Sequence, residues 1–146
     1  MRKLELLAPA KNLECGKAAI DHGADAVYIG AAKFGARASA GNSLDDIREL
    51  CLYAHQFGAK VYVTVNTIVY EDELEDTRAL LRALTEMRVD ALLVQDMAVL
   101  ELLPKDMKPL PALHASTQTD NRTAEKVAWL HGLGFERVVL ARELSL

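Results

Sequence analysis

The sequence predicts an α/β protein built on a parallel sheet. Three observations carry this. Strand-like and helix-like runs alternate from end to end, six of the first and five of the second. The strand runs are nearly continuous in Val, Ile, Leu and Ala, as expected where both sheet faces are covered. Alternation of this kind implies right-handed βαβ crossovers and parallel strands.

The elements follow in order. "KLELLAPA" (Lys3 to Ala10) reads as a strand stopped by Pro9, and "NLECGKAAIDHG" as a helix with Asn12 as N-cap and Gly23 as its stop. "DAVYIGA" is the second strand, followed by the Gly- and Ala-rich loop "AAKFGARASAGN". "SLDDIRELCLYAHQFG" opens on Ser43 with acidic residues in its first turn and closes on Gly58. "KVYVTVN" is strand three and "EDELEDTRALLRALTEM" helix three. "DALLVQD" is strand four, with a short helix to about Leu103 and the proline-marked connection "KDMKPLP". "ALHAS" is strand five, "TDNRTAEKVAWLHGLG" helix five, with Thr119 or Asp120 as its cap, and "RVVLARE" strand six.

Two architectures fit these elements. One is an open doubly wound sheet. The other is a TIM-type (β/α) barrel, which needs eight units and about 250 residues, so that the 146 residues here would be an incomplete barrel. The ending "ARELSL" reads as a strand end and the first turn of an unfinished helix, so truncation is expected. A barrel cut after strand six leaves unpaired edges, from which dimerisation through those edges is expected.

Composition narrows the function. The chain is 51% hydrophobic and 26% charged, with a net charge of −4. It lacks the global basic footprint of a nonspecific nucleic-acid binder, although a local basic patch remains open. Cys15 and Cys51 lie far apart without CxxC spacing and read as buried free thiols. The N-terminal apolar run is too short for a signal peptide and no run reaches spanning length, which points to the cytoplasm.

Both architectures bind ligands at the carboxyl ends of the strands. Residues there include Pro9, Gly30, Asn66 and Thr67, Gln95 and Asp96, Ser116 to Gln118, and Arg142 with Glu143. Asp96 is read as a helix cap. Asn66, Gln95, Gln118 and Arg142 are not the usual capping choices at their offsets. Strand alternation puts Tyr62, Thr64 and Asn66 on one face, and His114 with Ser116 on one face. A polar face on a central strand is costly unless satisfied or used. The candidate substrate-binding set is Asn66, Gln95, His114, Ser116, Gln118, Arg142 and Glu143, with Arg37 in the glycine-rich loop as an anion contact. Against it stand a satisfied core histidine at position 114 and a plain flexible loop around Arg37. No catalytic residue is assigned. His114 and Ser116 are roughly 6.5 Å apart along a strand, which does not make a nucleophile–base pair. The elbow GxSxG, HExxH and the Walker sequence are missing, and His22, His55 and His131 lie near helix ends as surface residues.

The blocks "ELLAPA", "HGADAVYIG", "FGARASAGN", "AHQFGAKVYVTVNT", "VDALLVQDM", "LHASTQTDNRTAEK" and "VVLARELSL" together resemble the amino-terminal part of peptidase family U-32, the collagenase-like peptidases. Within it, "FGARASAGNS", "VQDMAVLEL" and "LHASTQTDNRTAEKVAWL" are most similar to the branch that hydroxylates a cytidine of large-subunit ribosomal RNA. The resemblance implies a TIM-like barrel, with residues 1–146 as the amino-terminal part of that single domain. It implies oxygen-independent RNA hydroxylation, ribosomal RNA or its precursor as partner, prephenate as a possible co-substrate, and an iron–sulfur cluster held by cysteines that Cys15 and Cys51 do not match. This part alone is therefore expected to be inactive. Tyr28 or Tyr62 would stack on an extruded base. The alternatives are a peptidase using Ser116 or Thr117, and a noncatalytic small-molecule-binding module.

Overall fold

A computed structural model describes residues 4–31 and 41–145. Six strands, β1 (Leu7–Ala10), β2 (Ala26–Gly30), β3 (Lys60–Val65), β4 (Ala91–Val94), β5 (Ala112–Ala115) and β6 (Arg137–Val138), alternate with α1 (Leu13–Asp21), α2 (Leu44–Gln56), α3 (Leu74–Glu86), α4 (Ala98–Leu102) and α5 (Ala124–Gly132). All neighbouring strands are parallel, and the sheet order is β1-β2-β3-β4-β5-β6. A doubly wound sheet reverses its order at a switch point. This one never does, so every right-handed crossover puts its helix on the same face. The fold is therefore of the barrel type.

Side-chain alternation divides the two faces. Val27, Ile29, Val61, Val63, Val65, Leu92, Val94 and Ala115 point outward and pack under the helices, against residues such as Ile47, Leu50, Leu81, Leu84 and Leu130. On the other face Ala26, Tyr62, Ala91 and Leu93 meet Leu7, Tyr28 and Ala112. That inner face curls. Arg137 on β6 donates to Glu5, two residues before β1, with Nη1 at 2.5 Å. In a flat sheet of this width the edge strands would lie roughly 24 Å apart, so the pair requires an arc. Tyr62 of β3 donates its hydroxyl to the same carboxylate, 3.0 Å from each oxygen, and the Arg137 guanidinium lies 5.6 Å over the Tyr62 ring. Lys60 Nζ adds a second cation 4.0 Å from Glu5.

The helix ends follow local chemistry. Asn12 caps α1 by accepting from the Cys15 N–H, and Ser43 and Asp46 form a capping box on α2. After α1, α2 and α5 the chain turns through Gly23, Gly58 and Gly134 at positive φ, where a side chain would be strained. Arg88 takes the corresponding place after α3 at φ 58.

Several expectations are corrected. Pro9 does not stop β1 but lies inside it, which an edge strand tolerates because one row of its N–H groups needs no partner. The acidic start of helix three is a 3-10 turn over Glu71–Glu73 before α3 begins. Strand six is two residues long, so Arg142 and Glu143 lie beyond it in a turn. Thr123, not Thr119 or Asp120, caps α5. Cys51 is buried as expected, but Cys15 is exposed on the first turn of α1. Arg37 lies outside the described residues. Among the described residues, no helix is long and apolar enough to cross a membrane.

The ion pair across the arc predicts a pH dependence. The Arg137 hydrogen bond, opposed by burial and aided by Tyr62, holds Glu5 below its ordinary 4.5. A depressed carboxylate stabilises the fold fully above its unfolded value, and that contribution is lost as pH falls through the folded value. Glu5→Gln should lower stability by about 1 kcal/mol at pH 7, limited because water still reaches Arg137. Urea unfolding of the chain from pH 7 to below 4.5 should show the wild-type advantage over E5Q disappearing at the acid end.

Candidate functional site

The carboxyl ends of the strands open on the concave side. The innermost part is built by β3 and β5. Ser116 follows β5 and is 2% exposed. Its N–H donates to the Val94 carbonyl at 2.8 Å, fixing it to the end of β4. Its Oγ accepts from the Gln118 N–H at 3.2 Å, capping a 3-10 turn over Thr117–Thr119, and from Asn66 Nδ2 at 3.3 Å. Asn66 thus reaches across β4 to the end of β5, so the two residues expected to share a pocket are in contact.

His114 sits one step deeper on the same face. It is 6% exposed and meets the Tyr62 ring edge-on at 4.8 Å between centroids. Burial, reinforced by the cations Arg137 and Lys60 and opposed by Glu5, pushes its pKa down to about 4. The imidazole is therefore neutral near pH 7, with one donor and one acceptor nitrogen. It makes no hydrogen bond among the described residues. Tyr62 is 2% exposed and bound to Glu5, with its pKa raised to about 12, mainly by burial. It forms the floor and is not free to stack on a base, while Tyr28 remains half-buried on the inner face.

The rim is different in kind. Gln118, Arg142 and Glu143 are exposed and line a polar cavity of about 270 Å³ together with Thr117, Asp120 and Arg122. Arg122 bonds Asp120 at 2.5 Å and approaches Glu143 at 3.8 Å. Arg142 makes no ion pair among the described residues, so it is the cation of this cavity available to an anion. Gln95 continues the inward face of β4 and is half-buried, lying between the two zones. The predicted residues therefore separate: Asn66, His114 and Ser116 lie within the arc, whereas Gln118, Arg142 and Glu143 form the rim.

Asn121 was missed by reading it as helix start. It is fully buried, donates to the carbonyls of Ser116 (3.0 Å) and Val139 (2.8 Å), and accepts from Thr119 Oγ1 at 2.7 Å. Its own carbonyl accepts from the Ala141 N–H at 3.1 Å. Asn121 thus ties the end of β5 to the chain carrying Arg142. The preceding Asp120 is in the left-handed region at φ 53, which short polar side chains favour. An Asp-Asn pair between a strand and a capped helix was the available signal. Asp96 has a similar role: it accepts from the N–H groups of Ala98 (2.9 Å) and Val69 (3.0 Å), pinning the loop after β3 to the turn after β4.

The thiols do not fit a four-cysteine iron–sulfur cluster. The sequence has two cysteines, and burial pushes the Cys51 thiol up to about 12, away from the thiolate a metal needs. No group of three or more His, Cys, Asp or Glu side chains is placed to hold a metal ion among the described residues.

Comparison with known proteins adds the family context. The model of peptidase family U32 matches residues 11–146. The 23S rRNA 5-hydroxycytidine C2501 synthase of Escherichia coli is 55% identical over 99% of this chain, which covers 21% of that protein. The tRNA hydroxylation protein P1 of Bacillus subtilis is 38% identical over 99% of the chain and 34% of its own length. The solved structure of a U32 peptidase superposes with a TM-score of 0.72 at 14% identity, covering 96% of this chain and 60% of that one. The chain thus spans between a fifth and a third of the two curated relatives, and the solved structure supports the fold alone.

Asn121→Ala removes three side-chain hydrogen bonds at a buried position and should cost about 2–3 kcal/mol. Urea unfolding of the chain should show that loss, whereas Gln118→Ala at the exposed rim should stay within about 0.5 kcal/mol of wild type.

Proposed function

The chain belongs to peptidase family U32, and we propose that it is the barrel portion of an RNA hydroxylation enzyme that forms 5-hydroxycytidine in large-subunit ribosomal RNA without molecular oxygen. The observation that carries this is the 55% identity over nearly the whole chain to a 23S rRNA 5-hydroxycytidine synthase. The site is compatible with it. The rim cavity carries Arg142, which makes no ion pair among the described residues, and neutral hydrogen-bonding groups lie within the arc, a division suited to a nucleobase and an anionic co-substrate. Arg142 would hold a carboxylate of that co-substrate, prephenate being the candidate the resemblance supplies, through charge-assisted hydrogen bonds. Gln118 lines the same cavity and would orient it. Asn66 and Ser116 would fix the inner wall. Any iron–sulfur cluster would have to be held outside this chain's cysteines, and no step is assigned to it.

The hydrogen bonding around Ser116 weakens the peptidase alternative. Its Oγ accepts from Asn66 and from the Gln118 N–H, and His114 is not hydrogen-bonded to it. A nucleophilic serine needs a base to take its proton. This hydroxyl is used as a cap.

Deleting the gene should abolish 5-hydroxycytidine in large-subunit ribosomal RNA, measured by mass spectrometry of digested RNA; unchanged modification would contradict the assignment. In the full-length protein, Arg142→Ala should raise the KM for the anionic co-substrate by about 10–100-fold, the range for a lost charged hydrogen bond, while leaving the thermal midpoint nearly unchanged.

A further inference from the structure

His114 is a buried polar residue that makes no hydrogen bond among the described residues. It is 6% exposed, and its ring contact with Tyr62 is an edge-on packing contact, not a hydrogen bond. Neither nitrogen has a hydrogen-bond partner among the described residues. Among the described residues no buried side-chain nitrogen or oxygen lacks a partner, so the unpartnered ring nitrogens open onto the inner face and are not sealed in the core. A phenylalanine in the same place would pack on Tyr62 equally well. A largely buried polar ring that the packing does not require, with its nitrogens reachable and unpartnered among the described residues, points to a ligand.

The surroundings say what kind. Along the strand register, Gly30 pairs with Thr64, Thr64 with Leu93, Leu93 with His114, and His114 with Arg137. The concave side at this level therefore has no side chain on β2 and a hydroxyl on β3. A Cβ added at Gly30 would lie 3.3 Å from Thr64 Oγ1, so the glycine keeps that side open. Ser116, two residues on and on the same face, accepts two hydrogen bonds and retains its own proton to donate. The charged groups facing His114 are Glu5, Arg137 and Lys60, beneath it with Tyr62. Glu5 is satisfied by Arg137 and Tyr62, and Arg137 is engaged in turn. The remaining positive balance disfavours a cationic ligand. The neutral imidazole offers an anion no charge, and Arg142 at the rim is the place for one.

We propose that the inner layer around His114 and Ser116 is a subsite for the uncharged, hydrogen-bonding edge of a nucleobase, and that His114 is its specificity-determining contact, separate from the anion-holding rim at Arg142. The proposal rests on the RNA reading above and divides that site between base and co-substrate. A flipped base needs hydrogen bonds to its edge from a dry pocket. A neutral imidazole with a vacant donor and acceptor supplies them, and a hydroxyl next to it supplies a further donor.

The test uses the full-length protein and two hairpin RNAs of large-subunit ribosomal sequence, one with cytidine at the modified position and one with an abasic site there. Wild-type protein should bind the cytidine RNA roughly ten-fold more tightly, the range expected when one or two hydrogen bonds are gained. His114→Phe should erase that preference while keeping the thermal midpoint, because it keeps the packing on Tyr62. His114→Gln, which retains a donor and an acceptor, should keep part of the preference. Arg142→Ala should leave the ratio between the two RNAs unchanged. If H114F keeps the full preference, or loses it only together with a lowered midpoint that H114Q shares, His114 is a packing residue and the subsite is overturned. If wild-type protein shows the preference but no hydroxylated cytidine forms in vivo, the reaction assignment fails and the subsite stands. A wild type with no preference overturns the subsite.

Discussion

The ion pair between Glu5 and Arg137 joins the two edges of the sheet, and the shape of the site depends on it. The residues are 132 apart in sequence. Their strands would be far out of reach on a flat sheet. Closing the arc brings the inner faces of β3 and β5 towards one another, so that Asn66 reaches Ser116 and Tyr62 reaches His114. The pair also sets the electrostatics above it. One carboxylate is shared among Arg137, Tyr62 and Lys60, which leaves a positive balance beneath His114 and helps keep the imidazole neutral. Partly buried ion pairs are weak sources of net stability, because desolvation offsets the attraction. Here the pair's contribution is geometric.

From this curl follow two zones of different chemistry. Within the arc the usable groups are uncharged, with His114 and Ser116 buried and Asn66 half-buried. At the rim they are charged and open to water. Asn121 links the zones, since its buried amide holds both the end of β5 and the segment that carries Arg142. A reaction that joins a neutral ring to an anion is served by such a division. A hydrolytic triad is not, because the Ser116 hydroxyl accepts two hydrogen bonds as a cap and the nearby imidazole has its pKa pushed far below the working range of a general base.

Much of the architecture was legible in the sequence because it follows local rules. The strand and helix alternation, the Asn12 and Ser43 caps and the inward face of Tyr62, Thr64 and Asn66 all depend on neighbours within a few residues. The choice between a barrel and a doubly wound sheet was not, because periodicity carries no information on whether successive crossovers proceed in one direction. Sequence similarity supplied that. The misplaced cap of α5 has a local cause. Thr119 spends its hydroxyl on the Ser116 carbonyl and on Asn121, and Asp120 adopts a left-handed turn, so the helix starts only at Thr123. Site membership of His114 and Ser116 was readable from alternation, but their separation from Gln118 and Arg142 was not. The short β6 and the turn after it put the latter two on the rim. The Glu5–Arg137 pair left no local trace at all.

The claim that this pair shapes the inner face is tested most directly by a double-mutant cycle in which stability is measured for Glu5→Gln, Arg137→Gln and the combined variant. If the pair acts as described, the double variant loses less than the sum of the two single losses, by about 0.5 kcal/mol or more. Strictly additive losses would mean that the two side chains do not act together, and that something else curls the sheet.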